Sequence, residues 1–411
     1  MPANQAQPLR VRTEKPSHRH YGMDWLRIGA FALLIFYHVG LVFSPWPYEH
    51  KAERTFECVA VPLLLLNAWR LSLLFAISGY ASAAVLHRAS GVGAFLRGRL
   101  ARLGIPLLFG MAVVVAPQPW TWLVDAKGYP HSFWHFMVHD YFSFRDMGGI
   151  VVPSWMHLWF VVYLLVYTFA LCALHLLPDT IRNWLRHAAE RVLAGPLLLP
   201  LGIVWIDAAR HLPGEWSDTH NLIADPAAHA AYLPVFLFGV LLRSSEPLRA
   251  AIARQWKIAA SLAVIGYLVV VACELSFPGD APVPQPWREP FRIARAAQGW
   301  GAIIALFGIA DVFWNREGRW RSTLAEAVFP FYIIHQTIIM VTGFWLRPFS
   351  PAPVVEFLIL LVATAAGCAL FYFGGRRVRL LRPLIGLKRT SKRPHAPIEP
   401  PPGADPSAAP G

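Results

Sequence analysis

Charged residues are scarce in this chain: Asp, Glu, Lys and Arg make up 15% of its 411 residues. A typical soluble domain carries about 25%. Hydrophobic residues make up 56%, which excludes a chain that is disordered over most of its length. A set of soluble domains is also a poor interpretation, because the apolar residues occur in blocks long enough to span a bilayer.

Cysteine is scarce as well. The four residues Cys58, Cys172, Cys273 and Cys368 are scattered and form no CxxC pair, so neither a disulfide framework nor a metal site is implied. No internal repeat is visible, which removes support for an inverted-repeat transporter. The net charge of +13 lies in short segments between apolar blocks rather than in one patch, and this distribution argues against nucleic-acid binding.

The apolar residues form ten blocks, and they predict an all-α integral membrane protein with a bundle of about ten transmembrane helices. The bilayer is therefore an expected partner. The sixth block is short and is expected to begin a few residues earlier. The blocks cover residues 25–43, 62–86, 103–120, 157–177, 192–210, 230–242, 258–276, 298–314, 324–345 and 354–373.

The basic residues predict an orientation. Most of the 37 Lys and Arg residues fall in alternate connecting segments, beginning with the N-terminal one, as the positive-inside rule requires if both termini are cytoplasmic. The expected organisation is a basic cytoplasmic segment at 1–24, a membrane domain at 25–380 and a disordered cytoplasmic tail at 381–411. The longest outer segment, about 121–156, is long enough to fold over an opening on the outer face.

Arg27 and His38 lie eleven residues apart in the first block. Eleven residues of α-helix turn through about 1100°, close to three full turns, and rise about 16.5 Å. Both side chains therefore share a face with Asp24. His38 is either a hydrogen-bonded core residue or a general base, and Arg27 is either an interfacial anchor or part of a site.

Other arginines at or near membrane depth are candidates too. Arg70 in the second block is either a snorkelling side chain or the partner of a carboxylate. Arg97, Arg99 and Arg102 follow in the next inner segment. They serve either membrane orientation alone or the binding of phosphate groups.

Two later blocks carry further polar and aromatic candidates. His157 and Trp159 open the fourth block on its outer side, where Trp159 is either part of an aromatic belt or a surface for a sugar ring. Tyr332 and His335 lie one helical turn apart in the ninth block.

Together these residues resemble the signature of membrane acyltransferase family 3. The matching features are Arg27 with His38, the run Ser78-Gly79-Tyr80, the Arg97–Arg102 segment leading to Gly104-Ile105-Pro106, the run His157-Leu158-Trp159-Phe160, and Tyr332 with His335. The resemblance covers about residues 20 to 380. Within the family it is similar to the subgroup that succinylates osmoregulated periplasmic glucans.

The resemblance implies about ten helices that pass an acyl group from cytoplasmic acyl-CoA to an acceptor, usually a sugar hydroxyl, on the outer side of a bacterial inner membrane. It also implies that Arg27 and His38 are the functional pair, with His38 acting as general base or as a transient acyl carrier. Acyl-CoA is then a donor substrate, and no resident cofactor is expected.

A specific assignment follows for the other candidates. Arg97, Arg99 and Arg102 would bind the donor phosphates, and the pantetheine arm would run along the Arg27 face of the first span. Arg70 would hold a succinyl carboxylate or an oxyanion. His157 and Trp159 would line the acceptor mouth, and Asp24, Tyr332 and His335 have no assigned role. The alternative function is a glycan or lipid transporter without acyl transfer.

Overall fold

The computed structural model describes residues 20–212, 221–278 and 283–388. Within these ranges the chain is mostly helical and contains no β-strand, although Asp146 and Val151 form an isolated bridge. Nine helices are long and apolar enough to span a membrane, and a bent pair adds a tenth if it counts as one span. The predicted class, an all-α multi-span membrane protein, is confirmed.

Each predicted block except the fifth lies inside one helix, overrunning its end by at most one residue, and most helices extend beyond the block. The sixth block begins earlier than its apolar core, at Pro226, as expected. In chain order the helices are α1 Tyr21–Phe43, α2 Glu57–Arg88, α3 Val92–Lys127, α4 Met156–Leu176, α5 Asp179–Leu193, α6 Leu198–Ala209, α7 Pro226–Ser244, α8 Glu246–Ser276, α9 Arg288–Phe313, α10 Arg321–Phe349, α11 Pro353–Arg377 and α12 Leu381–Leu384.

The fifth predicted span, 192–210, is divided between α5 and α6, which meet at an angle of 105°. The break falls at Gly195 and Pro196, because proline disfavours the helical conformation in the residue before it. α6 has 12 residues, or about 18 Å of helix, which is shorter than the ~30 Å hydrocarbon layer. α5 is amphipathic, with Ile181, Trp184 and Leu185 exposed along one face.

Helices α2 and α7 pack backbone against backbone. A Cβ atom on Gly79 would lie 1.9 Å from the carbonyl oxygen of Phe236, and one on Gly239 would lie 1.9 Å from that of Ala76. Small residues permit this approach in membrane helices. The glycine of the Ser78-Gly79-Tyr80 run is therefore required by helix packing.

The bundle has two ends, which we name by their residues. The inner end carries Tyr21, Arg321 and Arg377, and the outer end carries Phe43 and Pro353. Both ends of the described chain lie at the inner end. The names follow the charge pattern, and the side of the membrane that each end faces stays a prediction.

The predicted outer segment, 121–156, forms a packed lobe at the outer end. Its small core includes Leu123, Phe136, Tyr141 and Val152. Its part of α3 also reaches α10, since Asp125 forms an ion pair with Arg347 at 2.6 Å.

The predicted domain limits shift at both ends. α1 begins at Tyr21, inside the segment predicted as 1–24. Residues 381–388 belong to the folded part rather than to the predicted tail, because Ile385 and Leu387 are buried against α10 and α11. The other residues of the two predicted terminal segments, 1–19 and 389–411, lie outside the described residues.

Candidate active site

A pair of histidines joins α1 to α10 inside the bundle. His38 Nδ1 lies 3.0 Å from His335 Nε2. His335 is fully buried, and its own Nδ1 lies 2.8 Å from the carbonyl oxygen of Tyr332, one turn earlier in α10. The two rings are stacked with centroids 5.1 Å apart. His335, which had no assigned role, is therefore the direct partner of His38.

The hydrogen bonds of this pair fix the positions of its protons. A carbonyl oxygen only accepts, so His335 Nδ1 must donate to Tyr332, which leaves a lone pair on His335 Nε2 in the neutral ring. His38 Nδ1 must then donate to that lone pair. The neutral His38 ring consequently carries its own lone pair on Nε2, so this nitrogen can accept a proton.

His157 belongs to the same cluster and does not line an open mouth. It is buried, and its Nε2 lies 3.1 Å from the carbonyl oxygen of Tyr332. Its Nδ1 faces the Gln118 side-chain nitrogen at 3.1 Å. The Tyr332 hydroxyl donates in return to the carbonyl oxygen of His157. These bonds hold α4 against α10 immediately behind His335.

Trp159 is also buried rather than exposed at an acceptor mouth. Its ring packs edge-on against Tyr163 at 5.2 Å and lies 6.1 Å from the ring of Tyr232. The predicted location of His157 and Trp159 at the surface is therefore not what the structure shows, because their neighbours on α4, α7 and α10 cover them. Their role toward an acceptor stays a prediction.

Arg27 and His38 share a face of α1, and that face is packed against α10. Arg27 Nη2 donates to the carbonyl oxygen of Ala325 at 2.6 Å. Between the two residues, Phe31 and Leu34 are buried, and the Phe31 ring contacts His335 edge-on at 5.6 Å. The expected route for a pantetheine arm along this face is therefore filled by side chains.

Asp24 lies one turn before Arg27, at the inner end. Its carboxylate pairs with Arg321 at 2.5 Å, and Arg321 also binds Glu317. Asp24 thus fastens the start of α1 to the start of α10, which accounts for the acidic side chain on this stripe by structure alone.

The three predicted donor-binding arginines differ in exposure. Arg99 is 9% exposed, and its Nε and Nη2 atoms have no hydrogen-bond partner among the described residues. Arg97 is exposed, as is Arg102, which follows in a π-helical turn. A buried guanidinium without an acceptor is costly, and a bound anion would satisfy it.

Further charged residues gather at the inner end and were not singled out from the sequence. Glu326 accepts a hydrogen bond from the Tyr372 hydroxyl at 2.7 Å, lies 3.8 Å from Arg382, and interacts electrostatically with Arg102. Arg376 donates to the same tyrosine hydroxyl at 3.2 Å. The sequence offered little indication that Arg376 and Arg382 belong to this group, because the positive-inside rule already explained the basic residues after α11.

Arg70 is buried against α1, and 6% of it is exposed. Its guanidinium carbon lies 3.4 Å from the ring centroid of Tyr37, in cation–π contact. Its Nε and Nη1 atoms have no hydrogen-bond partner in the described part of the chain. The centroid of the Tyr37 ring also lies 5.9 Å from that of His38. The Tyr37 ring therefore separates the Arg70 guanidinium from the histidine pair.

Comparison with known proteins identifies the family of the chain. A family model described as "Acyltransferase domain", that of acyltransferase family 3, matches residues 20–373. The chain belongs to this acyltransferase family. The glucans biosynthesis proteins C of Salmonella typhimurium, Salmonella schwarzengrund and Salmonella typhi are each 21% identical to it, over 92% of this chain and 97% of theirs. No solved structure matches. The protein is thus a multi-pass membrane acyltransferase.

Proposed function

We propose that this protein is an O-acyltransferase of the bacterial inner membrane, which moves an acetyl or succinyl group from cytoplasmic acyl-CoA to a hydroxyl of a glycan on the outer side. The bond between His38 and His335 carries the proposal, because it leaves a basic nitrogen inside the bundle. The relatives named for glucan biosynthesis support a glycan acceptor. Acyl-CoA is a substrate in this proposal, and His38 is the catalytic base.

The reaction balances with His38 alone as the proton carrier. His38 Nε2 removes the proton of the acceptor hydroxyl while its oxygen attacks the thioester carbonyl carbon. The C–O bond forms, the C–S bond breaks, and the departing thiolate takes the proton from Nε2. The products are an ester and free CoA. His335 accepts from His38 Nδ1 throughout, and so stabilises the imidazolium that forms in between.

The inner end supplies the donor site in this proposal. Arg99 and Arg102 would bind CoA phosphates, with Arg376 and Arg382 beside them and Arg97 as an outer contact. Arg27 would act by position: its bond to Ala325 fixes the start of α10, and with it His335, relative to α1. Since Phe31 and Leu34 fill the seam between α1 and α10, the pantetheine arm would reach His38 by another side.

Arg70 would hold the free carboxylate of a succinyl group. Its buried, unsatisfied nitrogens beside Tyr37 support an anion partner. Replacing Arg70 with leucine should therefore lower succinyl transfer by about 10- to 100-fold more than acetyl transfer, because only succinyl carries the charge. Initial rates with succinyl-CoA and acetyl-CoA measure this difference, and equal losses would assign Arg70 to an oxyanion or to structure instead.

The function is tested with purified protein in detergent, supplied with acyl-CoA and a glucan oligosaccharide. The wild type should release free CoA and produce an ester that mass spectrometry detects on the sugar. The rival function, transport of a glycan or lipid, predicts oligosaccharide or lipid movement in vesicles with no CoA release. Protein that binds the sugar yet leaves every thioester intact would overturn the proposal.

A further inference from the structure

A cavity of about 460 Å³ opens at the outer end of α10. Its walls are the segment after α1, the last turns of α10, and the turn into α11. Ligand pockets have volumes of about 300–1,000 Å³, so this cavity is large enough to hold part of an organic molecule. Its polar lining residues are His50, Lys51, Glu53, Arg54, Arg347, Ser350 and Glu356.

His50 is the most constrained residue of this cavity. It is 5% exposed, and its Nε2 has no hydrogen-bond partner in the described ranges. Its ring fits because residue 343 is glycine: a Cβ there would lie 2.2 Å from Nε2. On its other side, Nδ1 lies 3.9 Å from Asp125, which also pairs with Arg347. The outer lobe therefore pairs with the arginine and lies beside the ring.

The electrostatics favour a neutral ring at His50. Burial lowers the pKa of His50, and the charges of Arg347 and Lys51 lower it further, against an opposite effect of Asp125. A neutral imidazole offers one donor and one acceptor. It is thus suited to a hydroxyl group, which also donates and accepts.

The charges around the cavity are of both signs. Arg54 and Arg347 are donors, whereas Glu53 and the buried Glu356 are acceptors. An anion would meet the two carboxylates, and an apolar chain would desolvate Arg54 and Glu356 without replacing their contacts with water. A neutral molecule with many hydroxyl groups satisfies both sets at once.

The cavity lies on α10 about two helical turns beyond the histidine pair. Gly343, on its wall, is eight residues after His335 in α10, which is about 12 Å of helix. Tyr48, two residues before His50, stacks on the His38 ring at 6.3 Å with 10° between the ring planes. The short stretch of polypeptide from Tyr48 to His50 therefore contacts the His38 ring at one end and lines the cavity at the other.

We propose that this cavity is an acceptor subsite that binds one sugar ring of an oligosaccharide. The reacting hydroxyl belongs to another sugar of the same oligosaccharide and lies at His38. The inference rests on the proposed function. It assigns acceptor binding to the group around His50, Arg54 and Glu356, because His157 and Trp159, the residues expected from the sequence, are buried. A separation of about 12 Å requires an extended acceptor rather than a single small alcohol.

The test uses Glu356→Gln and Arg54→Gln, which remove the charge and keep a polar side chain. With a glucan tetrasaccharide as acceptor, each variant should raise the acceptor KM about tenfold, the usual effect of losing a hydrogen bond to a charged group. The rate with glycerol, which is too short to span both sites, should stay at the wild-type value. Arg288→Gln, at the exposed outer end of α9, is the matched control and should behave as wild type in both assays.

Binding of the tetrasaccharide without acyl-CoA separates the two proposals. Calorimetry should show the same tenfold loss of affinity in Glu356→Gln and Arg54→Gln. Normal CoA release with unchanged acceptor KM and affinity in both variants would overturn the acceptor subsite alone. If the variants bind the sugar more weakly but the protein consumes no acyl-CoA, the proposed reaction is overturned and the acceptor subsite is supported.

Discussion

The proton positions in the His38–His335 pair depend on a single main-chain contact. Because His335 Nδ1 donates to the carbonyl of Tyr332, its Nε2 is an acceptor, and His38 is held as the tautomer with a basic Nε2. In the proposed reaction His335 is accordingly a positioning residue, which acts through His38. The same arrangement, a base oriented by a third group, underlies other acyl-transfer sites.

Two substitutions of His335 distinguish this role from simple packing. Glutamine places an amide oxygen near the position of Nε2 and still accepts from His38, so His335→Gln should keep kcat within about tenfold of wild type. His335→Leu removes the acceptor and should lower kcat by about 10²–10⁴-fold with little change in the donor KM. Steady-state kinetics measure both values. Equal rates in the two variants would show that His335 only fills space.

At the scale of helices, the contact between α2 and α7 determines whether the bundle closes. Main-chain atoms of the two helices meet at Gly79 and Gly239, and a side chain on either has no room without moving a backbone. The glycine of the Ser78-Gly79-Tyr80 run is therefore explained by packing rather than by chemistry.

Gly79→Ala should destabilise the protein by about 1–3 kcal/mol, the usual cost of overpacking a close contact. The measurement is the apparent melting temperature in detergent, followed by loss of the monodisperse peak in gel filtration. Gly98→Ala is the matched control, since nothing lies within 4 Å of its added Cβ, and alanine is the better helix former. A Gly79→Ala protein as stable as Gly98→Ala would contradict the packing argument.

At the scale of the whole molecule, hydropathy predicted most of the helices but not which side chains meet between them. Nine of the ten blocks are helices, because an apolar run in a bilayer must satisfy its backbone internally. The fifth block is not one continuous helix: it breaks at Gly195 and Pro196, where the proline in the sequence already indicates a kinked or two-part span. Periodicity also placed Arg27 and His38 on one face, and both contact α10.

The sequence could not predict what that face would meet. Helical spacing says nothing about the neighbouring helix, so the filling of the seam by Phe31 and Leu34 was not foreseen. For the same reason His157 and Trp159 were expected at the surface, whereas α7 and α10 cover them. His50 and Asp125, 75 residues apart in the sequence, meet only through the tertiary fold.

The most direct test of the account is the rate of CoA release by His38→Ala, compared with wild type and with a control at the exposed His87. All three proteins should insert into membranes and elute alike. We predict that His38→Ala lowers kcat by at least about 10²-fold, the contribution of a general base, while His87→Ala keeps the wild-type rate. Undiminished CoA release and ester formation by His38→Ala would contradict the account.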